Sequence, residues 1–136
     1  GVAAMAVGIA RSAFEAAVQY SKERQQFGVP IAMHQAIQFL IADMAVKVDA
    51  AALLVYRAAW VKDQGAPRIT REAAMAKLYA TEAAQEVIDA ALQLHGGDGV
   101  RKGFAVESLY RDIRALRIYE GASDVQRIVI ARSILP

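Results

Sequence analysis

Hydrophobic residues recur along most of this chain at every third or fourth position, which is the period of α-helices that bury one face. The longest such stripe follows Met33, and its members are Ile37, Leu40, Ile41, Met44, Val48, Ala51, Val55 and Ala58. This stripe predicts a helix of roughly seven turns. Gly65, Ala66 and Pro67 supply stop signals, so the helix is expected to end near Gln64.

The same period predicts four further helices. The first spans about 2–23, and the segment Phe27-Gly28-Val29-Pro30 breaks the helical pattern after it. A third helix opens with Thr70 as its N-cap and closes at 95–97, and a short helix over about 106–114 precedes a last one over 124–135. Ser123 and Gln126 have the spacing of a capping box at the start of that last helix.

No strand-like alternation bounded by hairpin signals accompanies these helices, and short connections join them. The sequence therefore predicts an all-α fold, an antiparallel four-helix bundle with a short extra helix, as a single domain over residues 1–136. The many alanines would let neighbouring helices approach closely. Tyr56 and Trp60 are expected to serve core or interface packing.

Composition narrows the possible functions. The 136 residues are 56% hydrophobic and 22% charged, which predicts a compact domain. With 16 Lys and Arg against 14 Asp and Glu, the net charge is only +2, and the basic residues are dispersed, so nucleic acid is not an expected partner. The chain has no cysteine, and Asp43, Glu82 and Glu86 lack convergent His or Cys partners, so no metal site is predicted.

The apolar opening over 1–10 resembles a signal peptide only superficially. No basic residue precedes it, Arg11 interrupts it, and ten residues are far fewer than the ~20 needed to span a bilayer. We therefore expect it to begin a buried helix, with neither a targeting segment nor a membrane span.

Glu120 is the main candidate for chemistry. It lies between apolar or small residues just before the last helix, on a loop that Gly121 frees to turn, so a rigid neighbour could aim its carboxylate as an acid or base. A solvated loop glutamate is the ordinary alternative, because carboxylates beside helix starts are common.

Four segments, taken together, are more specific than any one of them. They are Ile118-Tyr119-Glu120-Gly121-Ala122-Ser123-Asp124-Val125-Gln126-Arg127, Arg24–Ile31 with His34–Gln38 after it, Gln93–Gly99, and Tyr110-Arg111-Asp112. In this order they resemble the C-terminal domain of acyl-CoA dehydrogenases. The resemblance covers essentially the whole chain, without the family's N-terminal helical and middle β domains, so the chain alone is expected to be inactive or nearly so.

The resemblance implies α,β-dehydrogenation of an acyl-CoA thioester, with Glu120 as the base that removes the α-proton and FAD as the hydride acceptor. Tyr119, Glu120 and Gly121 would contact the substrate, and the Glu120 backbone N–H and a flavin hydroxyl would stabilise the thioester oxygen. The implied partners are further copies of the chain, commonly a tetramer built as a dimer of dimers, and an electron-transfer protein. The implied location is the bacterial cytoplasm or the mitochondrial matrix.

The resemblance also implies a cofactor set shared between subunits. Its members, which would contact FAD held mainly by a neighbouring subunit or lie in the same nucleotide region, are Arg24, Gln26, Phe27, Gln35, Gln93, Leu94, Gly96, Gly97, Ala122, Ser123 and Asp124. Ala122 stands where many relatives carry Thr, so flavin affinity could be weaker. A solvated helix end at Arg24 and a helix C-cap at Gly96 remain the ordinary alternatives.

Two other functions stay open at this point. One is a non-catalytic helical bundle that serves assembly, and the other is a flavin oxidase or monooxygenase of related fold. Some relatives place the catalytic glutamate on the helix that corresponds to the first one here, where this chain has Glu15 and Glu23. Both of these fit ordinary helix-surface positions, so Glu120 remains the preferred base.

Overall fold

The computed structural model of the protein, which describes residues 1–135, is built from five α-helices. They are α1 (Val2–Glu23), α2 (Gln35–Asp63), α3 (Thr70–His95), α4 (Ala105–Leu116) and α5 (Ser123–Ile134). A short 3₁₀ turn at Ile31–Met33 precedes α2, and another at Gly96–Val100 follows α3. The predicted all-α class is therefore confirmed, and each predicted helix is present.

Helix α3 is the centre of the bundle, since it packs against each of the other four helices. Its contact with α1 is lined by fully buried alanines, which include Ala6, Ala13 and Ala17 on α1 and Ala80, Ala84 and Ala91 on α3. Side chains this small let the two helix axes approach closely. Larger buried residues, among them Met44, Ile88 and Ile113, complete the core where α2 and α4 join it.

The apolar opening is the beginning of α1, the helix that the sequence predicted over about 2–23. By length and mean hydropathy, 1.2 over its best window, α1 is the one helix within residues 1–135 that could cross a membrane. Its apolar character also has a packing explanation, because Ala6, Ala10, Ala13 and Ala17 are buried against the bundle. A helix packed in the core of a protein can be as long and as apolar as a membrane-spanning one.

The prediction that the chain has no strands was wrong at one place. Gln25–Gln26 and Val29–Pro30 pair as a two-stranded antiparallel hairpin, and the two residues of its turn, Phe27 and Gly28, have φ of 57° and 81°. Two positive φ values in succession are typical of a tight type I′ turn. Strands of two residues are too short to produce an alternating pattern, so the sequence carried no signal for them.

Two predicted caps were also wrong. Thr70 and Ser123 are the first residues of α3 and α5, and Ile69 and Ala122 occupy the N-cap positions without a side-chain capping bond. At Ser123 the physical reason is a competing partner, since its hydroxyl donates to the Glu82 carboxylate on α3 instead.

One face of α2 is apolar but is not covered by the bundle. We call it the α2 stripe, and it consists of Phe39, Val46, Leu53, Tyr56 and Trp60, all of which are more than half exposed. Four of these residues recur at intervals of seven, which keeps them on one side of a helix. The core is therefore excluded as the environment of Tyr56 and Trp60 in this chain.

Candidate functional site

Glu120 lies on the loop between α4 and α5, in an unusual backbone conformation. Its φ is 56° and that of Gly121 is 90°, so two successive residues are left-handed. This region costs a non-glycine residue of order 1–3 kcal/mol and persists where the surroundings enforce it. The φ of Gly121 favours glycine there, and a Cβ would also displace the side-chain amide of Gln126.

Two side chains from different helices hold this loop. Lys77 Nζ on α3 donates to the Gly121 carbonyl at 2.8 Å. Gln126 Nε2 on α5 donates to the same carbonyl at 3.1 Å and to the Glu120 carbonyl at 3.3 Å. Gln126 therefore acts at the loop that precedes its helix and not in a capping box.

A charged cluster lies next to the loop, centred on Glu82 of α3. The Glu82 carboxylate accepts hydrogen bonds from Arg117 Nε at 3.0 Å and from the Ser123 hydroxyl. Arg117 Nη2 also pairs with it at 2.9 Å. Burial favours the neutral acid, but the bonds from Ser123 and Arg117 outweigh it and lower the pKa of Glu82. The cluster thus joins both ends of the Glu120 loop to α3.

Glu120 is the one carboxylate among the residues that line a cleft of about 850 Å³. The first turn of α1, the end of α2 and the start of α3 form the rest of this wall, which is mainly apolar through Val2, Val55 and Ile69. The Glu120 residue is exposed at the edge of the cleft. Glu15 and Glu23 do not line it. Of the predicted substrate contacts, Glu120 lines the cleft, whereas Tyr119 and Gly121 flank it along the loop.

A basic cavity of about 450 Å³ adjoins this cleft and shares Thr70 and Val129 with it. Three guanidinium groups line it, from Arg68 just before α3, Arg71 in its first turn and Arg132 on α5. Sequence reasoning missed this group, because Arg132 is more than sixty residues from the other two arginines and gives no local pattern with them. Guanidinium groups are well suited to bind phosphate.

Five of the predicted cofactor residues meet in a separate cavity of about 400 Å³, and they are Arg24, Gln26, Leu94, Gly96 and Gly97. Tyr20, His95 and Asp98 line it too, and of these three only Tyr20 lies outside the segments that carried the resemblance. The Tyr20 hydroxyl lies 3.2 Å from an Asp98 carboxylate oxygen, and burial followed by this bond raises the pKa of Tyr20. Tyr20 also stacks on His95, with ring centroids 4.2 Å apart.

This cavity has features that fit a dinucleotide. Gly96 has a φ of 59°, and a Cβ built there would meet no heavy atom within 4 Å, so its backbone is open to close approach by a ligand. Arg24 adds a planar cation suited to a pyrophosphate. The other predicted members do not line the cavity: Phe27 is 90% exposed and meets His34 edge-on, and Gln35 and Gln93 are exposed.

The remaining predicted cofactor residues, Ala122, Ser123 and Asp124, line a third cavity of about 220 Å³ together with Arg114, Arg117 and Arg127. Ser123 is buried and engaged with Glu82, whereas Asp124 pairs with Arg127 at 3.0 Å on the surface. The predicted set is therefore divided between two places. Within residues 1–135, no group of three or more His, Cys, Asp and Glu side chains is placed to hold a metal ion.

The Arg24 cavity and the Glu120 cleft lie toward opposite ends of the bundle. Met5 lines the cleft and Arg24 lines the cavity. Met5 and Arg24 are nineteen residues apart along α1, which corresponds to about 28 Å at 1.5 Å per residue. These two groups of one chain therefore cannot act on the same reacting atoms.

Comparison with known proteins gives consistent matches. Residues 1–135 match the family model described as acyl-CoA dehydrogenase, C-terminal domain. The chain is 51% identical over 134 residues to a probable acyl-CoA dehydrogenase of Bacillus subtilis, covering 98% of this chain and 35% of that protein. It is 50% identical over 135 residues to a subunit of the caffeyl-CoA reductase-Etf complex of Acetobacterium woodii, with 99% and 35% covered.

A solved structure agrees with these relatives. Butyryl-CoA dehydrogenase from Megasphaera elsdenii superposes with a TM-score of 0.96 at 43% identity, covering 100% of this chain and 35% of that one. The chain thus spans about a third of the length of the relatives that it matches.

The Glu82 cluster makes stability depend on pH. Because folding lowers the pKa of Glu82 below its ordinary 4.5, its contribution is present above that pH and is lost as the pH falls through the lower folded value. In the full-length protein, Glu82→Gln should lower the free energy of unfolding at neutral pH by about 1–3 kcal/mol. Urea titrations at neutral pH and below pH 4.5 would measure this difference, which should shrink in acid.

Glu86→Gln is the matched control, since Glu86 makes an exposed ion pair with Lys47 at 2.8 Å. It should cost less than about 1 kcal/mol. A Glu82→Gln effect that stayed the same size from neutral pH into acid would contradict the assigned role of this carboxylate.

Proposed function

The chain belongs to the acyl-CoA dehydrogenase family as its C-terminal domain, and on that premise we propose that it supplies the base of an FAD-dependent acyl-CoA dehydrogenase. One observation carries the proposal: the carboxylate of Glu120 is the one acid on the wall of an apolar cleft, on a loop that Lys77 and Gln126 hold. The cleft is large enough for an acyl chain. The family's other two domains would complete the enzyme.

Glu120 removes the α-proton of the thioester in this proposal. That proton is weakly acidic, so the charge that develops on the thioester oxygen needs donors already in place. Within residues 1–135, the backbone N–H groups of Tyr119 and Ser123 donate to the carbonyls of Ala115 and Arg117, whereas the N–H of Glu120 makes no such bond. The Glu120 N–H is thus available to the thioester oxygen.

Bound FAD would supply the acceptor for the hydride that leaves the β-carbon. One relative is a subunit of a reductase complex that includes Etf, and the same site geometry serves the reverse direction, in which a protonated Glu120 returns its proton to the α-carbon. We propose dehydrogenation with an electron-transfer protein as the acceptor of the electrons.

The flavin dinucleotide is proposed to be shared between two chains. Arg24 and the bare backbone at Gly96 would hold its phosphate and adenosine side. Their cavity is about 28 Å from the Glu120 cleft along α1, so the dinucleotide held there would serve the Glu120 of another copy. The segment Ala122–Asp124, next to Glu120 in the chain, would contact the flavin of its own cleft.

The α2 stripe is proposed to meet a second copy of the chain. Four of its five members recur every seven residues, as in helices that pack side by side with other helices. The stripe includes three large exposed aromatic rings, those of Phe39, Tyr56 and Trp60. A shared cofactor requires such self-association, and we propose a homo-oligomer built as a dimer of dimers.

The basic cavity is proposed to bind the phosphates of coenzyme A. It adjoins the cleft and shares two lining residues with it. A thioester whose acyl end reaches Glu120 would then place its phosphorylated end toward Arg68, Arg71 and Arg132. This arrangement separates the site of chemistry from the site that recognises the carrier.

Replacing the base tests the central assignment. In the full-length, flavin-loaded protein, Glu120→Gln should reduce the anaerobic rate of flavin bleaching by acyl-CoA at least about 10²–10⁴-fold, the usual contribution of a general base. Its flavin content, read from absorbance, should be unchanged. Glu15→Gln on the exposed surface of α1 is the control and should bleach normally; full-speed bleaching by Glu120→Gln would overturn the assignment.

The same preparation separates the alternative functions. Turnover of straight- and branched-chain thioesters with an artificial acceptor indicates a dehydrogenase, hydrogen peroxide as the main product indicates an oxidase, and neither signal indicates a bundle that serves assembly alone. A carboxylate on a left-handed loop over an apolar cleft has no role in assembly, which favours a dehydrogenase.

Substrates with and without phosphates test the basic cavity. Arg132→Ala should raise KM for an acyl-CoA by about tenfold or more, because it removes a charge-assisted contact worth about 1.5–3 kcal/mol. KM for the acyl-pantetheine thioester, which lacks the phosphates, should not change, and kcat should be retained for both. Arg11→Ala on the α1 surface is the control. Equal effects on both thioesters would place the phosphates elsewhere.

A charged residue introduced into the α2 stripe tests the proposed self-association. Leu53→Glu should shift the full-length protein to a smaller species in analytical ultracentrifugation, because the interface would bury an unpaired carboxylate. Flavin content should fall with it, since the cofactor site is shared. Val100→Glu is a matched control at an apolar residue of similar exposure outside the stripe. An unchanged sedimentation coefficient for Leu53→Glu would exclude this surface as the interface.

A further inference from the structure

Lys77 is an unusual lysine, because it is only 7% exposed and lies within α3. Lysine is almost never buried without a partner, since desolvation of an ammonium is costly. Burial lowers the pKa of Lys77, and the carboxylates of Glu82 and Glu120 partly offset this. A residue kept at such a cost calls for a compensating role.

The partner of Lys77 indicates what that role is. Its ammonium donates at 2.8 Å to the carbonyl of Gly121, the residue that follows Glu120. Gln126, on α5, donates to the same oxygen. The Glu120–Gly121 segment is left-handed at both residues, so it relies on such external bonds to persist.

The charges around Lys77 come from several elements. Glu82 is on α3 with it, Glu120 is on the loop, and Lys62 of α2 lines the same cleft as Lys77 and Glu120. Glu82 is already paired with Arg117. Lys77 is therefore a buried cation that acts on Glu120 in two ways, through its bond to the loop backbone and through its charge.

We propose that Lys77 is a positioning residue for Glu120. The Lys77 ammonium holds the Gly121 carbonyl and thereby keeps the Glu120 carboxylate and backbone N–H directed at the cleft. The inference rests on the proposed function of Glu120 and deepens it. Lys77 does not itself touch the reacting carbon in this role. It acts through the loop and through the positive charge that it places beside the carboxylate.

The test uses the full-length, flavin-loaded protein and the variant Lys77→Met, which keeps the apolar stem and removes both the charge and the donor. The limiting rate of flavin reduction should fall about tenfold to a hundredfold, as expected for a reacting group displaced by about 1 Å. KM should change little, because the cleft wall is retained. Lys102→Met, at an exposed lysine outside the cavities, is the matched control.

One further readout of Lys77→Met separates positioning from a merely structural role. The exchange of the substrate α-proton with solvent deuterium, followed by mass spectrometry, should slow by a similar factor. This exchange reports proton transfer without hydride transfer.

Conservative variants keep the inference testable if Lys77→Met fails to assemble. Lys77→Arg retains a cation and a donor and should recover most of the rate of flavin reduction. Lys77→Gln retains only a neutral donor and should behave between the two. Wild-type rates of flavin reduction and of α-proton exchange in Lys77→Met or Lys77→Gln would overturn the inference, and so would a Lys77→Arg variant as impaired as Lys77→Gln.

The failure of this inference is distinguishable from failure of the proposed function. If the wild-type protein bleaches its flavin and Glu120→Gln does not, the function stands whatever Lys77 does. If neither the wild type nor any variant reacts with acyl-CoA, the proposed function fails and the positioning role fails with it.

Discussion

The contact of α3 with α1 through fully buried alanines is the constraint on which the rest of the structure depends. It fixes α3 in the centre of the bundle, where the helix supplies residues to both ends. Lys77 and Glu82 lie in its first half and support the Glu120 loop, whereas Leu94 and His95 lie at its end in the Arg24 cavity. A change of side-chain volume at this contact would shift both sites together.

The sequence predicted the helices well because their signal is local and periodic. The bounds of α1 agree with the structure, and those of the other helices lie close to the predicted ones. Errors arose where a long-range partner decided the outcome: Ser123 has the spacing of a cap, but it bonds to Glu82, which is 41 residues away. The two-residue strands were missed because they are too short for any pattern.

The candidate site was predictable only in part. Recognisable motifs identified Glu120, Arg24 and Gly96. The structure brings Arg24 and Gly96 together in one cavity and places Glu120 on a separate cleft. Lys77 and Arg132 were missed, because each lies on an ordinary helical segment and gains its significance from residues far along the chain. Motifs thus identified the residues proposed for chemistry, while the groups that hold or complement them required tertiary structure.

The separation of the Arg24 cavity from the Glu120 cleft has a genetic consequence if flavin is shared between chains. A lesion at one end of α1 and a lesion at the other would then damage different active sites of one assembly. Mixed assemblies of two defective chains could contain some sites in which both contributions are intact. Two inactivating alleles of this gene would therefore be able to complement each other within a single heterozygous cell.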